Sequence, residues 1–374
     1  MDPVALTQAL IRMNTVNPPG NERACAHFLG DMLEGAGFSV NYYEFADQRT
    51  SVVAMLGTGS NGKAPICFAG HVDTVPLGLR PWKYDPFGGT IEDGKLYGRG
   101  VTDMKAGVAA YVCAALDLVE EIKQGPGIIL VITAGEETGC EGSLHLGTIE
   151  GALGKAGALV VAEPTFNIPR VGHKGTIWLK LTSSGKTAHG SMPEHGINAV
   201  YKAARAAGKL EEFDFNIAPH KYLGRNTLNL GMMSGGQNVN SVPDAAEMRV
   251  DIRTIPATDH DRLCEGLRGY LKEEIDTLVP FVNLHGVWTD PNKVWVQRVF
   301  DLSAKHLGER PTVGALPFFT DAAALTPAYG QVQTLILGPG ETHMAHQTDE
   351  YCMVDRIYQS VAMYKDIIHD WGTS

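Results

Sequence analysis

The chain has 374 residues, of which 44 % are hydrophobic and 20 % charged, as is ordinary for a globular protein. This length exceeds what one hydrophobic core usually serves, so we expect two domains. The formal net charge of −11 argues against a nucleic-acid-binding protein, which needs a basic face.

The cysteines and the first residues indicate the cellular compartment of the protein. The six cysteines are scattered without a C-x-x-C pair, which is typical of reduced thiols in a cytoplasmic protein. The first residues lack a basic segment followed by an apolar one, so we expect no signal peptide. No run reaches about 18 apolar residues, so we expect no membrane span and no membrane partner.

The first part of the chain alternates predicted helices and strands. Residues 4–37 are predicted to form two helices separated by the break at Pro18-Pro19-Gly20. Short runs of Val, Ile, Leu and Ala without polar alternation predict strands that are buried on both faces. These strands are 52–56, 66–70, 128–134 and 158–162. A predicted helix over 104–121 follows the second of them, which indicates an α/β layered domain.

The pattern changes near Gly172. Residues 177–182 alternate apolar and polar side chains, as in a half-exposed strand. A helix (199–210), two strands (227–233 and 246–253) and a helix (259–275) follow, and a helix (293–307), a strand (332–337) and a final helix from residue 354 return to the α/β pattern. We therefore predict a discontinuous α/β domain interrupted by a smaller α+β domain of β-α-β-β-α order, with bounds 1–174, 175–285 and 286–374.

Polar clusters follow the predicted strands, where α/β enzymes usually keep their chemistry. They lie at the strand ends, at the entrance to the helix 104–121, and beyond Gly338-Pro339-Gly340. The residues that they supply are His71, Asp73, Asp103, Glu136, Glu137, Glu163 and His346.

Taken singly, most of these residues have a plain structural explanation. Asp103 is typical of a helix N-cap, Glu163 of a solvated loop and His346 of a surface histidine. The adjacent carboxylates of Glu136 and Glu137 are harder to explain, because holding both after a buried strand costs energy unless a cation compensates. Together, the imidazoles and carboxylates predict a site for Zn²⁺, Co²⁺ or Mn²⁺, with one carboxylate bridging two cations about 3.5–4 Å apart.

These clusters, in this order, resemble the M20 family of metallopeptidases and amidohydrolases over nearly the whole chain. The resemblance implies two divalent ions per subunit, with Zn²⁺ favoured. His71 and Glu163 would bind one ion, Glu137 and His346 would bind the other, and Asp103 would bridge both.

The resemblance also implies a mechanism. Asp73 would orient His71, a role that a ligand histidine requires of a neighbour. Glu136 would be the general base, which takes a proton from the attacking water and hands it to the leaving amine. The peptide bond after Asp103 would be cis.

The inserted domain resembles the lid or dimerisation domain of the same family. His189, in Gly185-Lys186-Thr187-Ala188-His189-Gly190-Ser191, would reach the active site of a partner subunit and stabilise the oxyanion, which implies a homodimer. The residues that would contact a substrate carboxylate or its surroundings are Asn240, Arg253, Thr320, Gly338 and Gly340.

We therefore expect hydrolysis of an amide bond in an N-acyl amino acid or small peptide-like substrate with a free carboxylate. Chain length and Ala345-His346-Gln347-Thr348-Asp349-Glu350 favour the acetylornithine deacetylase and desuccinylase branch. A dipeptidase or carboxypeptidase of the same family, a non-catalytic metal-binding dimer and a two-metal phosphoesterase remain alternatives.

Two further segments have competing interpretations. Residues 57–63 match G-x-G-x-x-G, but a strand follows them where phosphate binding needs a helix, so we predict a turn. Lys174 is expected either to touch substrate or to be a solvated charge.

Overall fold

The computed structural model describes residues 1–57 and 62–374. The described chain divides into two compact units. The larger unit consists of Met1–Gly172, Val287–Gly314 and Thr320–Ser374, and the smaller consists of His173–Gly286 and Ala315–Phe319. The predicted class, an α/β domain interrupted by a smaller α+β one, is confirmed.

The elements are numbered in chain order over the described residues. The helices are α1 (Pro3–Ile11), α2 (Arg23–Gly35), α3 (Ala106–Asp117), α4 (Val119–Gln124), α5 (Glu141–Thr148), α6 (Ala199–Glu211), α7 (His260–Tyr270), α8 (Val294–Leu307), α9 (Ala322–Ala328) and α10 (Val354–Thr373). The strands are β1 (Ser39–Ala46), β2 (Arg49–Leu56), β3 (Ile66–His71), β4 (Ile91–Glu92), β5 (Lys95–Tyr97), β6 (Ile128–Thr133), β7 (Ala158–Val161), β8 (Gly172–His173), β9 (Gly175–Ser184), β10 (Thr227–Gly235), β11 (Ala245–Thr254), β12 (Thr277–Leu284), β13 (Val287–Trp288), β14 (Gln333–Ile336) and β15 (Tyr351–Met353).

The main sheet of the larger unit has the order β1-β2-β6-β3-β7-β14. Strands β6, β3, β7 and β14 are parallel, and β2 pairs antiparallel with β1 and β6. Every residue of β3, β6 and β7 is buried, which confirms the expected burial on both faces. In β3, Ile66 and Phe68 join the core that contains α3 and α10, whereas Cys67 and Ala69 join the core that contains α5 and α9.

The carboxyl ends of parallel strands meet at one edge of a sheet. His71 is the last residue of β3, Glu136 and Glu137 lie just after β6, and Glu163 lies just after β7. Because β6, β3 and β7 are adjacent, the sheet alone brings these side chains close together.

The smaller unit is an antiparallel sheet of order β10-β11-β9-β12 with α6 and α7 packed against it. The alternation of residues 177–182 predicts β9, in which buried Ile177, Leu179 and Leu181 face the helices. Strand β12 was not predicted. It contains Pro280, which cannot donate to a sheet and lies at a register irregularity on an edge strand.

Other elements differ from their predictions. The helix expected over 104–121 begins at Ala106, because Asp103 and Met104 have non-helical backbone angles, and a break at Leu118 separates α3 from α4. The helix expected over 259–275 ends at Tyr270, and β1 was not predicted. Of the turn predicted over 57–63, residues 58–61 lie outside the described residues. Within the described residues, no helix is long and apolar enough to cross a membrane.

We expect Gly107→Ala to lower the free energy of unfolding by about 1–3 kcal/mol, although alanine is the better helix former by about 1 kcal/mol. A Cβ atom at this position of α3 would lie 2.2 Å from the carbonyl oxygen of Ala162, next to Glu163. The matched control is Gly147→Ala in α5, where a Cβ atom would make only an ordinary contact at 3.7 Å with Ala328. Thermal unfolding measures both; an undiminished midpoint for Gly107→Ala would contradict the tight contact of α3 with the end of β7.

Candidate metal centre

His71 is fully buried at the end of β3, with 0 % of its surface exposed. Its Nδ1 atom lies 3.0 Å from the main-chain carbonyl oxygen of Asp73. A carbonyl oxygen can only accept, so Nδ1 carries a proton, and Nε2 is the nitrogen that would bind a cation once it is deprotonated. Nε2 is the atom that faces the neighbouring carboxylates.

Asp103 lies between the two histidines of the centre. Its Oδ1 atom is 3.2 Å from His71 Nε2, and its Oδ2 atom is 3.2 Å from His346 Nε2. Glu163 Oε1 is 3.7 Å from His71 Nε2, and Glu137 Oε2 is 3.0 Å from His346 Nε2. The residues therefore form two groups of possible ligands that share Asp103.

Glu136 lies beside these groups without belonging to either. Its Oε2 atom is 4.0 Å from His71 Nε2, and its Oε1 atom is 3.9 Å from the thiol of Cys140. The residue is 5 % exposed. Glu136 and Glu137 thus differ in surroundings although they are adjacent in sequence.

Asp73 acts on this pair through the main chain. Its carboxylate accepts hydrogen bonds from the N–H groups of Glu136, at 3.1 Å, and Glu137, at 3.2 Å. Its distance to His71 Nδ1 is 3.5 Å, longer than the contact of that atom with the Asp73 carbonyl. The carbonyl of Asp73 orients the imidazole, and its carboxylate holds the turn after β6.

Glu350 holds the segment that carries Asp103. Its buried carboxylate accepts from the main-chain N–H groups of Gly100, Thr102 and Asp103, at 2.8–3.1 Å. The Arg99 guanidinium donates to the same carboxylate at 2.7 Å. The peptide bond after Asp103 is cis, as the family resemblance implied. Sequence reasoning gave Glu350 no role, because its partners are distant in the chain.

A further buried carboxylate, Asp321, was also missed. It accepts hydrogen bonds from Ser143, at 2.6 Å, and from Thr133. Thr133 ends β6 and Ser143 lies in α5, so Asp321 ties together the two elements on either side of the Glu136–Glu137 turn. The signal in the sequence was the position of Asp321 next to Thr320, a predicted substrate residue.

The centre holds protons strongly. Burial raises the pKa of Glu136 and Glu163 well above the usual range of a carboxyl group, and neighbouring carboxylates add to this effect. Hydrogen bonds to Asp103 and Glu137 raise the pKa of His346 to about 10. Burial lowers the pKa of His71, but Asp103 and Asp73 more than offset this and raise it well above its ordinary value.

The donor set fits divalent cations. His71, Asp103 and Glu163 form one group and Asp103, Glu137 and His346 the other, each with donor atoms within 4.8 Å of one another. Ligands about 2.1 Å from a tetrahedral zinc ion lie about 3.4 Å apart, close to the separations found here. Within the described chain, the buried Oε1 atoms of Glu137 and Glu163 have no hydrogen-bond partner. A cation would satisfy both.

The smaller unit holds three of the other predicted residues. His189 is exposed, and Ser191 donates its main-chain N–H to His189 Nδ1 at 3.2 Å, so the neutral ring carries its proton on Nε2. Gly190 N donates to the Asn240 carbonyl at 2.7 Å, which places these two segments side by side. Arg253, on β11, donates to Asp251 at 3.0 Å.

Lys174 lies in the same unit as Arg253. It is 8 % exposed and donates to the Arg225 carbonyl. The alternative that Lys174 is a solvated charge is therefore wrong.

The remaining predicted substrate residues belong to the larger unit and have packing roles. Thr320 is fully buried and accepts from Ala322 N at 3.1 Å, at the start of α9. A Cβ atom at Gly338 would lie 2.2 Å from the Ala162 carbonyl oxygen, and one at Gly340 would lie 2.3 Å from that of Thr102. These glycines let the chain pack against the segments that carry Glu163 and Asp103. Their contact with substrate stays a prediction.

The chain is similar to known proteins over most of its length. Residues 67–370 match the family described as Peptidase family M20/M25/M40. The chain belongs to this family. As an M20/M25/M40 protein it is a metal-dependent amidohydrolase, as its sequence predicts.

Relatives within this family extend over nearly the whole chain. A Staphylococcus epidermidis protein named "Probable succinyl-diaminopimelate desuccinylase" is 32 % identical over 400 residues, covering 98 % of this chain and 96 % of that protein. A Vibrio campbellii protein named "Acetylornithine deacetylase" is 30 % identical, covering 88 % and 86 %. The crystal structure of the M20 family metallo-carboxypeptidase Sso-CP2 from Sulfolobus solfataricus covers 100 % of both chains with a TM-score of 0.83 at 18 % identity, which shows a common fold.

We expect the metal-free protein to lose stability as pH rises from about 4.5, the ordinary pKa of the glutamates, to about 10, the pKa of His346. The pKa values of Glu136, Glu163 and His346 are raised in the folded chain, so it binds more protons than the unfolded chain across this window. The pKa of Asp103 is lowered in the folded chain, so this group changes stability only at pH values below the ordinary pKa of an aspartate, outside this window. Cations displace these protons, so Zn²⁺ should remove most of the decline.

Thermal unfolding in EDTA and in Zn²⁺ at a series of pH values measures this effect. The gap between the two midpoints should widen with pH. A gap that stays constant or narrows would contradict the assignment of these groups to a cation site.

Proposed function

We propose that the protein is a two-metal hydrolase that cleaves the amide bond of an N-acyl amino acid, or of a small peptide-like substrate, with a free carboxylate. The observation that carries the proposal is the shared Asp103, with one oxygen toward each histidine and Glu136 beside both groups but in neither. A metal-storage site needs the ligands only. An uncoordinated buried carboxylate next to them is what hydrolysis requires of a base.

In this proposal His71, Glu163, Asp103, Glu137 and His346 hold two divalent cations, with Zn²⁺ favoured by the donor set. When bound, the cations lower the pKa of a water molecule and polarise the amide carbonyl.

Glu136 moves the proton. Its carboxylate accepts the proton of the attacking water, holds it in a buried environment, and donates it to the leaving nitrogen. Burial raises the pKa of the Glu136 carboxyl above its ordinary value, which favours acceptance of this proton. Asp73 keeps the carboxylate in place through the N–H group of Glu136.

The names of two relatives support an N-acyl amino acid as substrate. Both the desuccinylase and the deacetylase names describe removal of an acyl group from an amino acid. Arg253, supported by Asp251, offers a guanidinium for a carboxylate. Substrate contacts by Asn240, Thr320, Gly338 and Gly340 rest on the family resemblance alone and stay part of the proposal.

We also propose a homodimer in which His189 acts on the substrate held by the partner subunit. Its proton on Nε2 suits an oxyanion donor. Strand β10 is an edge strand, and its apolar Met232 and Met233 are 62 % and 42 % exposed, as expected of a surface that a second copy covers.

A peptidase is the second candidate, since the fold is also that of a metallo-carboxypeptidase. The same centre would serve a dipeptide, and the difference lies in what recognises the two sides of the amide bond. Location in the cytoplasm fits the buried free cysteines and stays part of the proposal.

We expect Glu136→Gln to lower kcat by about 10³-fold while bound zinc stays at about two ions per subunit. The adjacent Glu137→Gln is the matched control. It removes a ligand rather than the base, so bound zinc itself should fall. Metal analysis of dialysed protein alongside initial rates distinguishes them. Zinc loss in Glu136→Gln, or full zinc content in Glu137→Gln, would contradict the division of roles.

The substrate class is tested with N-acetyl, N-succinyl and N-formyl amino acids and with dipeptides, using protein reloaded with Zn²⁺, Co²⁺ or Mn²⁺. We expect fast hydrolysis of one N-acyl amino acid. Cleavage of dipeptides alone would establish the peptidase instead. Cleavage of p-nitrophenyl phosphate alone would indicate a phosphoesterase, and no turnover with both cations bound would indicate a binding protein.

A further inference from the structure

We propose that Asn17 is a positioning residue that fixes the Asp73 carboxylate, and through it the Glu136–Glu137 turn, in the geometry needed for turnover. This inference rests on the proposed function, in which Glu136 moves the proton and Glu137 binds a cation. Asn17 itself belongs to neither group of possible ligands.

Asn17 is buried next to the strand that supplies His71. It is 3 % exposed, and its main-chain N–H donates to the Thr74 carbonyl at 2.8 Å. The hydroxyl of Thr15 donates to the carbonyl of Val72 in the same stretch. The segment 15–17 is thereby bound along residues 72–74, so the Asn17 side chain has little freedom to move.

The side-chain amide of Asn17 uses both of its N–H groups at the centre. One donates to Asp73 Oδ2 at 3.0 Å, and the other donates to Thr138 Oγ1 at 2.9 Å. Asp73 and Thr138 contact the turn at opposite ends, since Asp73 binds the N–H groups of Glu136 and Glu137 and Thr138 follows them directly. One amide thus bridges the two ends of the segment that carries the base.

The Asp73 carboxylate needs this donor because it is a fully buried charge. Its hydrogen-bond donors are the main-chain N–H groups of Glu136 and Glu137 and the amide of Asn17, and His71 Nδ1 lies farther away, 3.5 Å from Oδ1. Without the amide, Oδ2 keeps one donor, Glu137 N, and a buried carboxylate that loses a donor is driven to shift toward other partners. A rotation of this carboxylate displaces both N–H groups that it holds.

The Thr138 contact restrains the turn on its other side. Its hydroxyl donates to Glu141 Oε2 at 2.6 Å while it accepts from Asn17. Arg49 lies 3.5 Å from the same Glu141 oxygen and pairs with buried Glu22 at 2.9 Å. The turn is therefore also bonded on the side of Thr138, and Asn17 joins this contact to Asp73.

The test is Asn17→Leu, which keeps the branched shape and removes both donors. We expect kcat to fall about tenfold or more and the affinity for Zn²⁺, measured by competition with a chelator, to fall about tenfold. KM should change less than about twofold, because the positioning acts on the base and not on substrate contacts. Asn17→Ala removes the same donors and serves if the leucine variant does not fold.

Two controls separate positioning from general loss of stability. Asn14→Ala, in the same segment, removes an exposed contact with Val16 N at 3.1 Å and should leave kcat and zinc affinity unchanged. Thr138→Val removes one acceptor but keeps the Asp73 contact, so it should retain most of the turnover. A loss in Thr138→Val as large as in Asn17→Leu would overturn the role of Asp73 as the relay.

The inference and the proposed function fail in different ways. If the parent hydrolyses a substrate, kcat decides: an unchanged kcat in Asn17→Leu at saturating Zn²⁺ overturns the inference, even with a lowered unfolding midpoint. If the parent hydrolyses nothing in the panel, the proposed function fails. The zinc affinity then decides, with an unchanged affinity overturning the inference and a fall supporting it.

Discussion

The structure depends on keeping several carboxylates close together and away from water. A buried carboxylate is stable only when N–H donors or a cation compensate its charge. Asp73 and Glu350 are compensated by main-chain N–H groups, with Asn17 and Arg99 adding side-chain donors. Glu137 and Glu163 each keep a buried oxygen without a hydrogen-bond partner in the described chain. The first pair builds the scaffold, and the second pair is left available to cations.

The fold meets this requirement by two different means. The parallel strands β3, β6 and β7 bring their ends to one edge of the sheet, which needs no specific side-chain contact. Asp103 and His346 come from turns, and the turn carrying Asp103 is held by Glu350, 247 residues away in sequence. The two means are complementary. The sheet sets where the centre lies, and hydrogen bonds such as those of Glu350 set the distances between its side chains.

Local patterns account for what sequence reasoning found. The apolar runs of β3, β6 and β7 and the polar residues after them are visible in short windows, and they led directly to His71, Glu137 and Glu163. Strand β12 was missed because Pro280 interrupts its pattern and because only pairing with β9 makes it a strand. Asn17, Glu350 and Asp321 were missed for a related reason. Each acts through partners that only the folded chain brings near, so the sequence does not show which residues they contact.

The sharing of one carboxylate by two neighbouring N–H groups limits how this centre can be altered. The main-chain N–H groups of Glu136 and Glu137 both donate to the Asp73 carboxylate. A backbone change that repositions one side chain therefore moves the other as well. Independent adjustment is left to contacts that only one of them makes, such as the Cys140 thiol beside Glu136. For protein engineering, a change in the main chain of this turn moves the base and the metal ligand together. The surroundings of Glu136 alone are therefore better altered at position 140.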